Sequence, residues 1–164
     1  MLKFSKLQVN DLAFLNEVRN ECAEIYLHDS RTFSLEETVN WFNTSHPNFW
    51  IIWNDDIRIG YFRTSNYSNI NKNIYIGADL HEDYRGRGLA YESYCKFILL
   101  LFNELNLHKI SLEVLESNQR GINLYKKLGF KVEGIKRDEV YKNGVWINSI
   151  IMSMFINELN DNKN

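Results

Sequence analysis

The chain has 164 residues, one of them Pro, with 45% hydrophobic and 14% aromatic side chains and a formal net charge of -2. That length suits a single domain, set here at residues 1–156 with a polar tail at 157–164, whose core buries roughly two thirds of the unfolded surface. The composition excludes long disorder, and the near-neutral charge excludes a field that would gather nucleic acid or an anionic membrane, so an acidic ligand has to be met by a local patch.

Taken in chain order, Leu2–Val9 alternates apolar and polar residues as a strand does, and Asn10 or Asp11 is placed to cap a helix through Phe14, Val18 and Arg19. Cys22 in that helix and Cys95 further on lack Cys-x-x-Cys or metal spacing and read as reduced core or near-core thiols. Ser34 followed by Glu37 is a capping-box signature for a second helix with Val39, Trp41 and Phe42 on its apolar side, ended by Pro47. Phe49–Trp53 and Ile57–Thr64 read as strands joined by Asn54-Asp55-Asp56. The Asn-rich stretch 65–73 reads as a flexible loop, and Ile74–Leu80 as the next strand of an antiparallel set.

At Arg85-Gly86-Arg87-Gly88-Leu89-Ala90 the strand gives way to a helix whose Ala90, Tyr94, Phe97, Ile98, Leu101 and Leu105 recur at three and four, one face against a sheet. Glycines permit a tight turn, and the first turn of a helix offers unpaired N–H groups with partial positive charge, so this junction reads as a pyrophosphate cradle, with a plain glycine-containing helix start as the equal alternative until the rest of the chain is considered. It lacks the Lys-Ser/Thr ending of a nucleotide-hydrolysing loop and the spacing of a dinucleotide fingerprint, which argues against ATP and NAD. His108–Leu115 is the following strand, Gln119–Leu128 a helix, and Phe130–Tyr141 with Val145–Phe155 a closing hairpin turned at Asn143-Gly144. The tail reads as frayed. Met1–Leu12 carries no signal-like run and the longest apolar run, Phe97–Phe102, is too short to span a bilayer, so a cytoplasmic location is expected. His28, His46, His81 and His108 are scattered singly, as surface or capping residues, and no metal is expected.

The cradle, followed by Asn118 and then Tyr125-Lys126-Lys127-Leu128-Gly129-Phe130, resembles the GNAT superfamily of acetyl-CoA-dependent N-acetyltransferases over residues 74–155, with Ile122 where Ala or Ser is usual. The resemblance implies an α/β (α+β) three-layer fold, a mixed, mostly antiparallel sheet flanked by helices. It also implies acetyl-CoA as co-substrate, held by Arg85, Gly86, Arg87, Gly88, Leu89 and Ala90 at the pyrophosphate, by backbone groups of Ala78 to Leu80 along the pantetheine arm, and by Asn118, which is equally placed to cap the helix that follows it. Tyr125 matches the family's general acid, a phenol with an ordinary pKa near 10 that can deliver a proton to a departing thiolate, with an aromatic packing under the helix as the plain alternative.

Removing a proton from an ammonium requires a carboxylate, directly or through water. Glu113, mid-strand, matches the base of the ribosomal-protein alanine acetyltransferase branch, with a solvent-facing strand residue as the plain alternative. Many relatives carry a glutamate on the preceding strand, where this chain has Tyr75, and Asp79 is the second candidate, as base or as an anchor for the acceptor's ammonium.

The resemblance places the acceptor beside the first two helices and the Tyr141–Trp146 hairpin. Arg19, His28, Asp29, Arg31, Trp41, Arg63, Arg137 and Tyr141 are the candidates in or beside these regions, and the basic ones suit a small phosphate-bearing amine such as a nucleotide-linked amino sugar, with ordinary surface charge as the plain alternative. A protein N-terminal or polyamine acetyltransferase, or a non-catalytic coenzyme A-binding module, is the alternative. Beyond the small-molecule amine, the expected partners include neither nucleic acid nor membrane, with a second copy of the chain as a candidate.

Overall fold

Five alternating residues at the N-terminus form β1 (Leu2–Lys6), which pairs antiparallel with β2 (Phe49–Asn54) from Leu2↔Asn54 to Lys6↔Trp50. A computed structural model describes residues 1–161. The remaining strands are β3 (Ile57–Ser68), β4 (Asn73–Leu80), β5 (Lys109–Leu115), β6 (Lys131–Lys142) and β7 (Val145–Phe155). The seven form one mixed sheet in the order β1-β2-β3-β4-β5-β7-β6, with α1 (Leu12–Ala23), α2 (Leu35–Ser45), α3 (Leu89–Leu105), α4 (Gln119–Leu128) and α5 (Glu158–Asp161) as the helices. Contacts divide the chain into two units, 1–64 with 77–93, and 65–76 with the chain from Tyr94 onward.

In the first unit β2 and β3 pair antiparallel around the turn at Asp55, a residue at φ 55°. Apolar positions of α1 (Leu12, Leu15, Val18, Cys22) pack with Leu7, Leu27, Ile51 and Tyr61 into a buried cluster, against which Trp41 and Phe42 of α2 are laid. The Ser34 box closes as expected, the Glu37 amide donating to Ser34 Oγ at 3.1 Å and the Ser34 amide to Glu37 Oε2 at 2.7 Å. Asp11, expected as an α1 cap, makes no side-chain cap bond to that helix. It is buried instead, accepting from the Gln8 amide at 3.0 Å and Arg58 Nε at 2.8 Å, which is how a buried carboxylate is tolerated.

In the second unit the stretch 65–73, expected as a loop, is strand through Ser68, and only residues 69–72 turn before β4 begins. Sheet pairing overrides the weak strand propensity of Asn here. β4 runs parallel to β5 from Asn73↔Lys109 to Tyr75↔Ser111, and β7 is antiparallel to both β5 and β6. Asn143 at φ 49° and Gly144 at φ 81° make the expected hairpin turn. The tail is more ordered than expected, since α5 holds residues 158–161 and Glu158 accepts from the Phe155 amide at 3.0 Å and from Lys131 Nζ at 2.5 Å. Residues 162–164 lie outside the described part. Among the described residues no helix is long and apolar enough to cross a membrane.

Candidate functional site

Gly86 at φ 77° and Gly88 at φ 80° place two left-handed residues in the turn between β4 and α3. Only glycine adopts this backbone without strain, and a side chain at Gly88 would project into open space, since nothing lies within 4 Å of its Cβ position. The backbone is therefore accessible beside the first turn of α3, whose N–H groups have no intrahelical acceptor. Arg85, expected to help hold the pyrophosphate, faces inward: its Nε donates to the Leu80 carbonyl at 2.8 Å and its Nη2 reaches Glu21 Oε2 and Cys22 Sγ, each at 3.2 Å. It ties the turn to α1. Arg87 stays exposed, 5.9 Å from the Tyr84 ring.

Burial, reinforced by the negative charge of Asp79, pushes the Cys22 thiol up to about 12. Cys95, expected in or near the core, is exposed because it lies off the apolar stripe of α3. Since the thiolate is the nucleophile, an alkylating agent at neutral pH is expected to modify Cys95 in the native protein and Cys22 only after denaturation; mass mapping of the adducts checks this.

Asp79, buried near the end of β4, receives Arg63 Nη1 at 2.5 Å. The Tyr61 phenol is fully buried near the same carboxylate, so desolvation first and Asp79's charge second push it well above its usual value. Gly77 makes room for this arrangement, because a Cβ there would fall 2.8 Å from the Arg63 guanidinium. Tyr61 and Arg63 line a cavity of about 510 Å³ whose apolar wall includes Phe33, Trp41 and Phe49 and whose carboxylates are Asp29 and Glu37. Of the acceptor candidates, Arg19, His28, Asp29, Trp41 and Arg63 meet here.

The arginines that line the cavity, Arg19 and Arg63, are already engaged, as is Arg31 beside the lining. Arg19 donates to the backbone carbonyls of Arg31 and Asp29 and lies 4.3 Å from the Phe33 ring centre. Arg31 grips the Asp29 carboxylate with Nη2 at 2.7 Å and Nε at 3.0 Å, and this bond, above all, lowers Asp29 to about 2.

The second unit carries the other family motif. Asn118 caps α4, its Oδ1 accepting from the Gly121 amide at 2.9 Å. Gly129 at φ 99° closes the helix, its amide donating to Lys126 O and the Phe130 amide to Tyr125 O at 2.9 Å, with the Phe130 and Tyr125 rings edge to face at 6.1 Å. The Tyr-x-x-x-Gly-Phe run is thus a helix stop with its apolar contact. The Tyr125 hydroxyl lies 3.3 Å from that of Tyr94 in a buried setting, a neighbour that the helical stripe concealed by marking Tyr94 as core. Glu113 is held by Lys136 Nζ at 2.8 Å and by the Ser149 hydroxyl at 3.4 Å. Tyr141 and Trp146 pack against each other at the exposed end of the β6–β7 hairpin, and Arg137 is exposed on β6.

His81 is less isolated than its place in the sequence suggests. It gathers with Glu17 and Glu21, their ligand-type atoms within 4.8 Å of one another. Nδ1 accepts from the Asp83 amide at 3.2 Å, Nε2 faces Glu21 Oε1 at 3.3 Å, and Glu21 Oε2 also receives Arg85 and the Glu82 amide, so the atoms are knit into hydrogen bonds that hold the turn.

Residues 2–131 match the family model of the acetyltransferase (GNAT) domain, and the chain belongs to that family. The spermidine N(1)-acetyltransferase of Escherichia coli (strain K12) is 40% identical over 73 residues, covering 44% of this chain and 39% of that protein. The ribosomal protein uS5-alanine N-acetyltransferase of the same strain is 24% identical over 94 residues, covering 55% and 48%. These alignments thus span about two fifths to one half of the relatives' lengths. Among solved structures, spermidine N-acetyltransferase from Vibrio cholerae in complex with CoA and spermine superposes with a TM-score of 0.87 at 23% identity, covering 96% of this chain and 97% of that one, which shows the shared fold.

Proposed function

We propose that this protein is an acetyl-CoA-dependent N-acetyltransferase whose acceptor is a small aliphatic amine of the polyamine class. The observation that carries the enzyme reading is the open turn with glycines at positive φ leading into α3, together with the Asn118 to Phe130 motif. The cavity supports the acceptor class. Its aromatic faces and the Glu37 carboxylate suit a cation on an alkyl chain, whereas Asp29 is held by Arg31, and Arg19 and Arg63 are bound to acceptors of their own and are poorly placed to grip a phosphate. This replaces the nucleotide-linked amino sugar, which the basic residues suggested as long as their partners were unknown; the matched spermidine acetyltransferases support the change.

In this reading acetyl-CoA lies along β4 with its pyrophosphate on the 85–90 turn. Asp79 takes the ammonium's proton through water, and Glu113 acts as a cross-strand ion-pair partner of Lys136. The free amine attacks the thioester carbonyl, whose growing negative charge meets backbone N–H groups of residues 78–80, and Tyr125 protonates sulfur as the C–S bond breaks. Thiol release from acetyl-CoA is the direct test, run against polyamines, N-terminal peptides, amino acids and nucleotide-linked amino sugars. Turnover is expected with polyamines. Turnover confined to peptides or amino sugars overturns the acceptor class, and tight coenzyme binding without turnover overturns the enzyme. Gly88→Val, which adds a β-branched side chain over the turn and strains its backbone, is expected to raise the acetyl-CoA Kd by on the order of tenfold, read by calorimetric titration of the folded variant.

A further inference from the structure

We infer that Tyr94 is a positioning residue for Tyr125, its hydroxyl donating to the Tyr125 oxygen while that oxygen gives its proton to the leaving sulfur. The inference rests on the general-acid role proposed above for Tyr125.

The two residues come from different helices, Tyr94 from α3 and Tyr125 from α4, and both are buried, at 2% and 9% exposure. Their rings meet edge to face at 5.5 Å and 75°, and their hydroxyls approach to 3.3 Å. Phe130 flanks Tyr125 as well. The ring is thereby held between aromatic neighbours, and rotation about its ring axis does not carry the hydroxyl away from Tyr94.

A hydroxyl has one proton to donate and lone pairs that accept. When Tyr125 points its proton at sulfur, a bond between the two phenols requires Tyr94 to be the donor. As the C–S bond breaks, its electron pair goes to sulfur, the Tyr125 proton follows to give the free thiol, and negative charge appears on the Tyr125 oxygen. A hydrogen bond to a charged oxygen is stronger than one to a neutral hydroxyl, so the Tyr94 contact gains strength as the transition state forms. Solvent then returns a proton to Tyr125, balanced by the one that the acetylated nitrogen releases.

The test is a double-mutant cycle on the full chain, in single-turnover reactions with acetyl-CoA and the best amine. Tyr94→Phe keeps the ring contact and deletes the donor. It is expected to lower the rate on the order of 10- to 100-fold while KM for acetyl-CoA stays unchanged. In a Tyr125→Phe background the same change is expected to have no further effect. An unimpaired Tyr94→Phe, a loss that multiplies with that of Tyr125→Phe, or a change confined to KM overturns the inference while leaving Tyr125 as the acid. A Tyr125→Phe protein that reacts at the wild-type rate, or a wild type that turns over no amine, overturns the underlying reading and this inference with it.

Discussion

Tyr125→Phe is expected to lower the single-turnover rate by about 10²–10⁴-fold, the usual contribution of a positioned acid, with acetyl-CoA affinity little changed. The variant retains what the structure shows the ring to do: it still meets Phe130 and Tyr94 edge to face, and the backbone carbonyl of residue 125 still accepts the Phe130 amide at the end of α4. Only the hydroxyl is lost. A fall in rate in a variant that stays folded at the assay temperature, with only the modest loss of stability that the Tyr94 contact accounts for, therefore assigns the effect to proton delivery. An unchanged rate makes Tyr125 a packing residue and leaves solvent to protonate the thiolate.

What the sequence made legible was whatever local chemistry decides. Ser34 and Glu37 cap α2, Asn118 caps α4, and Asn143-Gly144 turns the β6–β7 hairpin, because each depends on residues a few positions apart. The tight turn at Gly86 and Gly88 was readable for the same reason. Partnerships across the sequence were not readable. Arg85 lies inside the cradle motif, yet its guanidinium turns to Glu21 and Cys22 on α1, and Arg63 pairs with Asp79 on a neighbouring strand. Counting basic residues consequently favoured a phosphate-bearing acceptor, although the carbonyls and carboxylates that engage those residues follow from tertiary packing. Periodicity has the same limit: it marked Tyr94 as core, and that is its burial, but no helical pattern reports that its hydroxyl meets Tyr125.

Asp79 is the residue on which base catalysis and stability are most entangled, and the choice of variant separates them. Its carboxylate is 5% exposed while the Arg63 side chain is 37% exposed. Removing Arg63 strands a buried charge, and losses of about 3–5 kcal/mol are typical of broken buried pairs. Asp79→Asn is milder, because the Asn carbonyl still accepts from Arg63, whose charge reaches solvent, and because an uncharged amide is cheaper to bury than a carboxylate without its partner. Asn has no basicity to take up the ammonium's proton. If Asp79 is the base, Asp79→Asn is expected to lower the rate by about 10²–10⁴-fold, and to lose less of that rate at alkaline pH, where a growing fraction of the amine arrives already neutral. Glu113→Gln, which removes the charge partner of Lys136, is expected to stay near the wild-type rate. The opposite pattern, a crippled Glu113→Gln beside an active Asp79→Asn, would move the base to β5 and leave Asp79 as the anchor that keeps Arg63 in place at the wall of the cavity.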